Sequence, residues 1–173
     1  MKIVLMGYMG SGKSFLGKKL AKTLNYNYID LDEYIVKEEG KSISELFKEN
    51  GEIYFRKIET SHLENVLKKN DAAVIALGGG TPCYGTNLKL ISNDKAIVSI
   101  YLKASINTLV DRLYPEKDKR PLISHLNSKA QLVEFIGKHL FERTYYYEQA
   151  TFTINVDTKS PQEIIENIVL QLI

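Results

Sequence analysis

Short apolar runs alternate with helix-like spacings of apolar residues along the whole chain. Continuous apolar runs predict five buried strands at about residues 3–6, 28–31, 72–77, 96–102 and 151–156. After the first run, Leu16, Leu20 and Leu24 recur every four residues, as on one face of a helix. Continuous apolar strands that alternate with helices are typical of a parallel sheet covered on both faces. The pattern therefore predicts one α/β domain over residues 1–173.

Capping signals mark the starts of two predicted helices. Ser42 and Glu45 have the spacing of a capping box, and so do Ser160 and Glu163, with Pro161 at the first helical position. Further helices are predicted from about residue 32 and at about 52–69, 105–113 and 128–148. Since ligands bind at the carboxyl ends of parallel strands, residues that directly follow a strand are candidates for function.

Composition and charge exclude several classes of protein. The 23 Lys and Arg against 21 Asp and Glu leave a net charge of +2, which is too small to indicate a nucleic acid or a membrane surface as partner. Cys83 is the only cysteine, so no intramolecular disulfide can form. The first apolar run stops at Gly7, too early for a signal peptide, and the three histidines lack metal-ligand spacing. We expect a cytoplasmic monomer.

A phosphate-binding motif follows the first strand. Residues 7–14 read Gly-Tyr-Met-Gly-Ser-Gly-Lys-Ser, which matches G-x-x-x-x-G-K-S/T between a strand and a helix. The backbone N–H groups of such a loop and the helix N-terminus bind phosphate. Lys13 can bridge the β- and γ-phosphates, and Ser14 can ligate Mg²⁺. The residues predicted to contact the nucleotide here are Gly10, Ser11, Gly12, Lys13, Ser14 and Phe15.

A guanine-binding switch protein is an alternative for any such loop. Those proteins read the base with an N-K-x-D motif after a late strand, and the chain contains none. The third predicted strand runs into Gly78, Gly79 and Gly80, where many nucleotide hydrolases place a magnesium-binding aspartate. The acidic residues at a strand end near the loop are Asp30 and Asp32. The missing base-recognition motif argues against a guanine-binding switch protein.

Five further motifs follow the phosphate loop in order. They are Asp30-Leu31-Asp32, residues 51–59 (GEIYFRKIE), the glycine triplet at 78–80, Arg120-Pro121-Leu122 and residues 143–147 (RTYYY). In this order and spacing the chain resembles the shikimate kinases over nearly its whole length. The resemblance implies a P-loop kinase fold with a mobile lid, ATP as phosphoryl donor and Mg²⁺ as cofactor. It also implies phosphorylation of the 3-hydroxyl of shikimate, a step of chorismate and aromatic amino-acid biosynthesis.

The resemblance assigns a substrate site in a helical region at about 32–60 and beyond. Arg56 and Arg143 would hold the shikimate carboxylate, because paired guanidinium donors match it. Asp32 would orient the attacking hydroxyl and accept its proton. The glycine triplet would let the backbone approach the ring. Plainer interpretations exist: Asp32 could be a helix cap, and the triplet could be a tight turn. Arg56 and Glu59 could form an exposed ion pair, whereas in the functional interpretation Glu59 holds the Arg56 side chain in place.

The resemblance places a lid over the phosphates at residues 114–125. This segment is polar and contains two prolines and several cations, which also suits a solvated loop. As a lid it would exclude water, and Arg120 would act as an internal arginine finger on the transferring group. The residues assigned to catalysis are then Lys13, Asp32 and Arg120.

The remaining assignments concern the metal and the base. Asp30 would lie in the magnesium shell through water, with Ser14 as the direct ligand. Arg112 and the loop around Lys159 would contact adenine, although many relatives carry an arginine near that position and lysine lacks a planar face. Two alternatives stay open: a kinase for another hydroxy acid such as gluconate, and a non-catalytic nucleotide sensor.

Overall fold

The computed structural model describes residues 1–69 and 71–173, and its sheet lies at the centre of the fold. The strands are β1 (Lys2–Met6), β2 (Asn27–Asp30), β3 (Ala73–Ala76), β4 (Ile97–Lys103) and β5 (Phe152–Asn155). Within the described residues the α-helices are α1 (Lys13–Leu24), α2 (Leu31–Glu39), α3 (Ile43–Lys68), α4 (Asn87–Ser92), α5 (Ile106–Leu113), α6 (Lys129–Tyr147) and α7 (Pro161–Leu172).

All strand pairs are parallel, in the order β2-β3-β1-β4-β5. In the centre, Leu5 of β1 is in register with Ala76 of β3 and Ile100 of β4. The predicted five-stranded parallel sheet is thereby confirmed. Because the strands are parallel, the ends of β1, β2 and β3 meet at one edge, and the loops that leave them are neighbours.

Strand β1 is buried on both sides. Ile3, Val4, Leu5 and Met6 are each 0% exposed. Consecutive strand residues point to opposite faces of a sheet, so both faces of β1 must be covered. This burial explains why the strand reads as a continuous apolar run, and it gives the phosphate loop a rigid base.

Two helix starts follow the predicted capping boxes. Ser42 caps α3 and Ser160 caps α7, each with the reciprocal bonds of a complete box. Helix α3 contains both the segment that begins after the Ser42 capping box and the helix predicted at about residues 52–69, which are assigned as one element. The two segments meet in a kink at Gly51, whose backbone (φ 81°, ψ 173°) is not helical.

Two buried residues hold the segment predicted as a lid: one directly precedes it and the other lies within it. Leu113 and Ile123 are 1% and 0% exposed. Between them the chain forms a 3-10 helix over Tyr114–Lys119 and a turn in which the Ile123 N–H donates to the Arg120 carbonyl at 3.0 Å. The mobility of this segment stays a prediction. In the described part of the chain, no helix has the length and apolar character needed to cross a membrane.

Candidate active site

The loop between β1 and α1 has the backbone geometry of a phosphate cradle. Gly7 (φ 147°) and Gly12 (φ 99°) adopt conformations that residues with side chains rarely adopt. A Cβ on Gly7 would lie only 2.8 Å from the Leu102 carbonyl oxygen. Gly12 immediately precedes α1, and no side chain caps that helix. The first N–H groups of α1 are therefore available to an anion.

Lys13 lies under this loop. Its ammonium group donates to the carbonyl oxygens of Gly7 and Tyr8, at 2.8 and 3.0 Å. Desolvation by burial lowers the pKa of Lys13 to about 8, although the carboxylates of Asp32 and Asp30 act in the opposite direction. The loop thus holds a partly desolvated cation, which suits a polyphosphate ligand.

Asp30 both caps a helix and holds Ser14. Its Oδ1 accepts the N–H groups of Asp32 and Glu33, at 3.1 and 3.3 Å, and so caps α2. Its Oδ2 accepts the Ser14 hydroxyl at 2.9 Å. The plainer interpretation of Asp32 is a helix cap, but Asp30 is the residue that caps α2. Because the cap is Asp30, the helix already begins at Leu31, where the apolar pattern predicts the last strand residue. The Asp30 carboxylate and the Ser14 hydroxyl thus place two oxygen ligands beside the loop, and oxygen ligands are what Mg²⁺ prefers.

The glycine triplet after β3 lies against three of the predicted site residues. A Cβ on the first glycine would lie 2.9 Å from Asp32 Oδ1. On the second it would lie 3.4 Å from Arg143 Nη1, and on the third 2.9 Å from Arg56 Nη2. A side chain on the first or the third glycine would therefore displace Asp32 or Arg56, and one on the second would touch Arg143. The absence of side chains therefore lets Asp32, Arg143 and Arg56 approach one short backbone segment from three different helices.

Asp32 is partly buried, and its acidity is altered. Desolvation by burial raises the pKa of its carboxyl to about 6, with smaller upward contributions from Asp30 and Glu59. Lys13 and Arg56 lower the same pKa, but not enough to offset burial. A carboxylate with a pKa this close to neutrality is suited to accept a proton from a hydroxyl.

Arg56 is held by a buried carboxylate. Its Nη1 donates to Glu59 at 2.9 Å, and the Glu59 side chain is only 1% exposed. Glu59 also accepts the Thr81 hydroxyl at 2.7 Å. The pair is not an exposed ion pair, so the structure agrees with Glu59 as a support for Arg56.

Arg143 stands in a different environment. It projects from α6 toward the glycine triplet, with its guanidinium carbon 5.9 Å from the centre of the Tyr8 ring. Among residues 1–69 and 71–173 it forms no ion pair with an acidic side chain. Its charge is therefore available to a carboxylate ligand.

Comparison with known proteins decides the family. The shikimate kinase family model matches residues 9–173. The chain is 46% identical over 167 residues to the shikimate kinase of Flavobacterium psychrophilum, covering 96% of each chain. This chain belongs to the shikimate kinase family. Two solved shikimate kinases share the fold: that of Bacteroides thetaiotaomicron (TM-score 0.90, 33% identity, 99% of this chain and 98% of that chain) and that of Acinetobacter baumannii in complex with shikimate (0.83, 27%, 99% and 92%).

A cavity of about 490 Å³ joins most of the predicted site residues. Those that line it are Gly10, Gly12, Lys13, Ser14, Phe15, Asp30, Asp32, Gly78, Gly79, Arg112 and Arg120. Arg112 donates to the Gly10 carbonyl oxygen at 3.0 Å. Within residues 1–69 and 71–173, the side chain of Arg120 makes only one long contact, of 3.4 Å, with Glu116. Ser11 is buried within the loop. Lys159 is exposed and does not line this cavity, so its contact with adenine stays a prediction.

Sequence reasoning did not find four residues that line this cavity, which are Met9, Leu77, Leu113 and Glu116. Three of them are apolar and read simply as core positions. Glu116 stands four residues before Arg120, a spacing at which helical side chains meet, and that spacing could have indicated it. Within the described residues no cluster of three or more His, Cys, Asp or Glu side chains could hold a metal ion.

Proposed function

We propose that the protein transfers the γ-phosphoryl group of ATP to the 3-hydroxyl of shikimate, giving shikimate 3-phosphate and ADP. The observation that carries this proposal is the packing of Asp32, Arg143 and Arg56 against the glycine triplet beside the phosphate loop. Membership of the shikimate kinase family supports it. The reaction would serve aromatic amino-acid biosynthesis, and the cytoplasmic location and monomeric state stay predictions.

The substrate would lie between the two arginines and Asp32. Arg143 and the N–H groups of Arg56 that are not bonded to Glu59 would bind its carboxylate with paired donors. Asp32 would accept a hydrogen bond from the attacking hydroxyl and take its proton as the new oxygen–phosphorus bond forms. At the same time the bond from the γ-phosphorus to the β,γ-bridging oxygen breaks, and ADP leaves.

The nucleotide would lie along the loop and α1. Lys13 would contact the β- and γ-phosphates, with Phe15, Arg112 and Lys159 on the side of the adenosine. Mg²⁺ would be held by Ser14 directly and by Asp30 through water, and when bound it supplies positive charge to the phosphates. The 2.9 Å hydrogen bond from the Ser14 hydroxyl to the Asp30 carboxylate, at the N-terminus of α1, supports this assignment of the metal ligands. Arg120 would meet the transferring group from the lid.

A substrate panel tests the proposed function. Purified protein with ATP and Mg²⁺ should phosphorylate shikimate and leave gluconate and nucleoside monophosphates nearly untouched. Omission of Mg²⁺ should abolish the turnover, and Lys13→Ala serves as the inactive control. Equal or faster turnover of gluconate would make the protein a kinase of another hydroxy acid. ATP binding without transfer to any of these acceptors would support the non-catalytic sensor instead.

A further inference from the structure

Tyr84 lies against the guanidinium group of Arg56. The central carbon of that group (Cζ) is 3.8 Å from the centre of the Tyr84 ring. Phe55 and Phe47 also lie nearby, but their ring centres are 5.3 and 5.9 Å from Cζ. At 3.8 Å a cation over a ring face is well within the range of cation–π attraction. Of these three rings, Tyr84 therefore makes the closest contact with the arginine.

The hydrogen bonds of Arg56 leave its orientation incompletely fixed. Its Nη1 has a short bond to Glu59 (2.9 Å), whereas its Nη2 has only a 3.5 Å contact with Glu52, whose side chain is 54% exposed. Its Nε is buried, and no partner for it exists among the described residues. One strong hydrogen bond fixes one corner of a planar group, but the plane can still tilt about that corner. A contact over the face of the plane restrains this tilt.

Tyr84 follows a turn that is hydrogen-bonded to Glu59. It directly follows the 3-10 turn Thr81–Cys83. The Thr81 hydroxyl donates to Glu59 at 2.7 Å, and the Thr81 carbonyl oxygen accepts the Asn87 side-chain amide at 2.8 Å. Thr81 and Asn87 are both 0% exposed. The carboxylate that bonds Arg56 and the ring that stacks on it are thus both connected to one buried turn.

We propose that Tyr84 is a positioning residue for the transfer to shikimate. Its ring sets the plane of the Arg56 guanidinium, so that the N–H edge not used by Glu59 meets the substrate carboxylate in a paired arrangement. A bidentate pair depends on the plane of the guanidinium as well as on its charge. The interaction is made by the ring and not by the hydroxyl, so phenylalanine should replace tyrosine here. This inference rests on the proposed function.

The test compares Tyr84→Leu with Tyr84→Phe. Leucine keeps an apolar side chain but has no ring, so the KM for shikimate should rise about three- to thirtyfold. The kcat and the KM for ATP should stay within about twofold of wild type, because binding of the substrate carboxylate does not change during the transfer. Tyr84→Phe should behave as wild type. Tyr145→Leu removes a tyrosine that is 71% exposed and is the matched control.

Three results would overturn the inference: an unchanged KM for shikimate in Tyr84→Leu, an equal rise in the KM of both substrates, or a phenylalanine variant as impaired as the leucine variant. Thermal unfolding of each variant identifies a loss of folding, and Tyr84→Met replaces Tyr84→Leu if that variant does not fold. Wild-type protein that fails to phosphorylate shikimate overturns the proposed function itself. Wild-type activity with unaffected Tyr84 variants overturns this inference alone.

Discussion

The Glu59 carboxylate, only 1% exposed, accepts a 2.9 Å hydrogen bond from the Arg56 guanidinium. The same arginine has a second acidic neighbour in Glu52, at 3.5 Å and 54% exposed. Both glutamates belong to α3, at positions that a helical repeat brings near Arg56. Burial separates their contributions, because a hydrogen bond shielded from water is worth more and costs more to break.

Replacement of these two glutamates should have very different effects on stability. Glu59→Ala removes a buried acceptor from Arg56 and from the fully buried Thr81 hydroxyl, so the free energy of unfolding should fall by about 2–4 kcal/mol. Glu52→Ala removes a long, exposed contact and should change it by no more than about 0.5 kcal/mol. Urea denaturation followed by circular dichroism measures both. Equal midpoints for the two variants would mean that Glu59 does not hold Arg56 in solution.

Cys83 should react slowly, although it lies near the site. Burial raises the pKa of its thiol from about 9 to about 11, and the nearby cations Arg143 and Arg56 offset only part of this rise. A raised pKa means less thiolate, so at pH 8 alkylation should be about a hundredfold slower than in the unfolded chain. The measurement is the rate of iodoacetamide labelling by mass spectrometry between pH 7 and 10.

The matched control is the same labelling in 8 M urea. The native rate should continue to rise about tenfold for each pH unit over this range, because the pH stays below the raised pKa. A native rate equal to the rate in urea, or one that levels off near pH 9, would contradict the altered acidity. Cys83 would then be an exposed and reactive thiol.

The sequence was sufficient to predict the sheet and the loop, for identifiable physical reasons. Central strands buried on both faces must be apolar throughout, so β1 and β3 are visible as unbroken apolar runs. The phosphate loop needs glycine at fixed positions, and this leaves a local signature around Gly7 and Gly12. The capping boxes at Ser42 and Ser160 are also local, which is why both were confirmed.

Features that depend on tertiary contacts were not predictable in the same way. Helix α4 is short and follows a turn, so it contains no apolar repeat from which it could be predicted. The role of Asp30 as the cap of α2 could not be separated from that of Asp32, since both lie close to the carboxyl end of β2. The stacking of Tyr84 on Arg56 joins residues 28 positions apart, and only the fold brings them together.

Arg143→Lys should weaken shikimate binding although the charge is kept. Among the described residues Arg143 has no acidic partner, so its charge is available for the carboxylate. Lysine offers a single point contact, and loss of one charge-assisted hydrogen bond costs about 1.5–3 kcal/mol, or roughly ten- to a hundredfold in affinity. Calorimetric titration should show this loss for shikimate and little change for ATP.

The control for this substitution is Lys138→Ala on the same helix. Lys138 is 75% exposed and pairs with Glu134 on the surface of α6, so its removal should leave both titrations unchanged. Equal weakening of shikimate and ATP in Arg143→Lys would show a disturbed fold. The proposed role of Arg143 would then lack support.

Arg120→Ala should separate binding from chemistry. Arg120 lines the cavity beside Lys13, yet its contact within the protein is a long one to the exposed Glu116. Its guanidinium should therefore matter little for docking of shikimate and strongly when charge redistributes over the γ-phosphoryl oxygens. Interactions made mainly in the transition state appear as lost kcat, not as raised KM. We expect kcat to fall by about 10³-fold or somewhat less. This is the lower end of the range for arginine fingers, because Lys13 still contacts the phosphates in the variant.

Steady-state kinetics and calorimetric binding of shikimate test this expectation together. The matched control is Lys119→Ala, which removes the neighbouring exposed cation of the same segment and does not alter the lining of the cavity. Because Lys119 does not line the cavity, the kcat of Lys119→Ala should stay near that of wild type. If Arg120→Ala also stays within about threefold of wild type, Arg120 is a solvated loop residue, and residues 114–125 do not bring a catalytic cation to the transferring group.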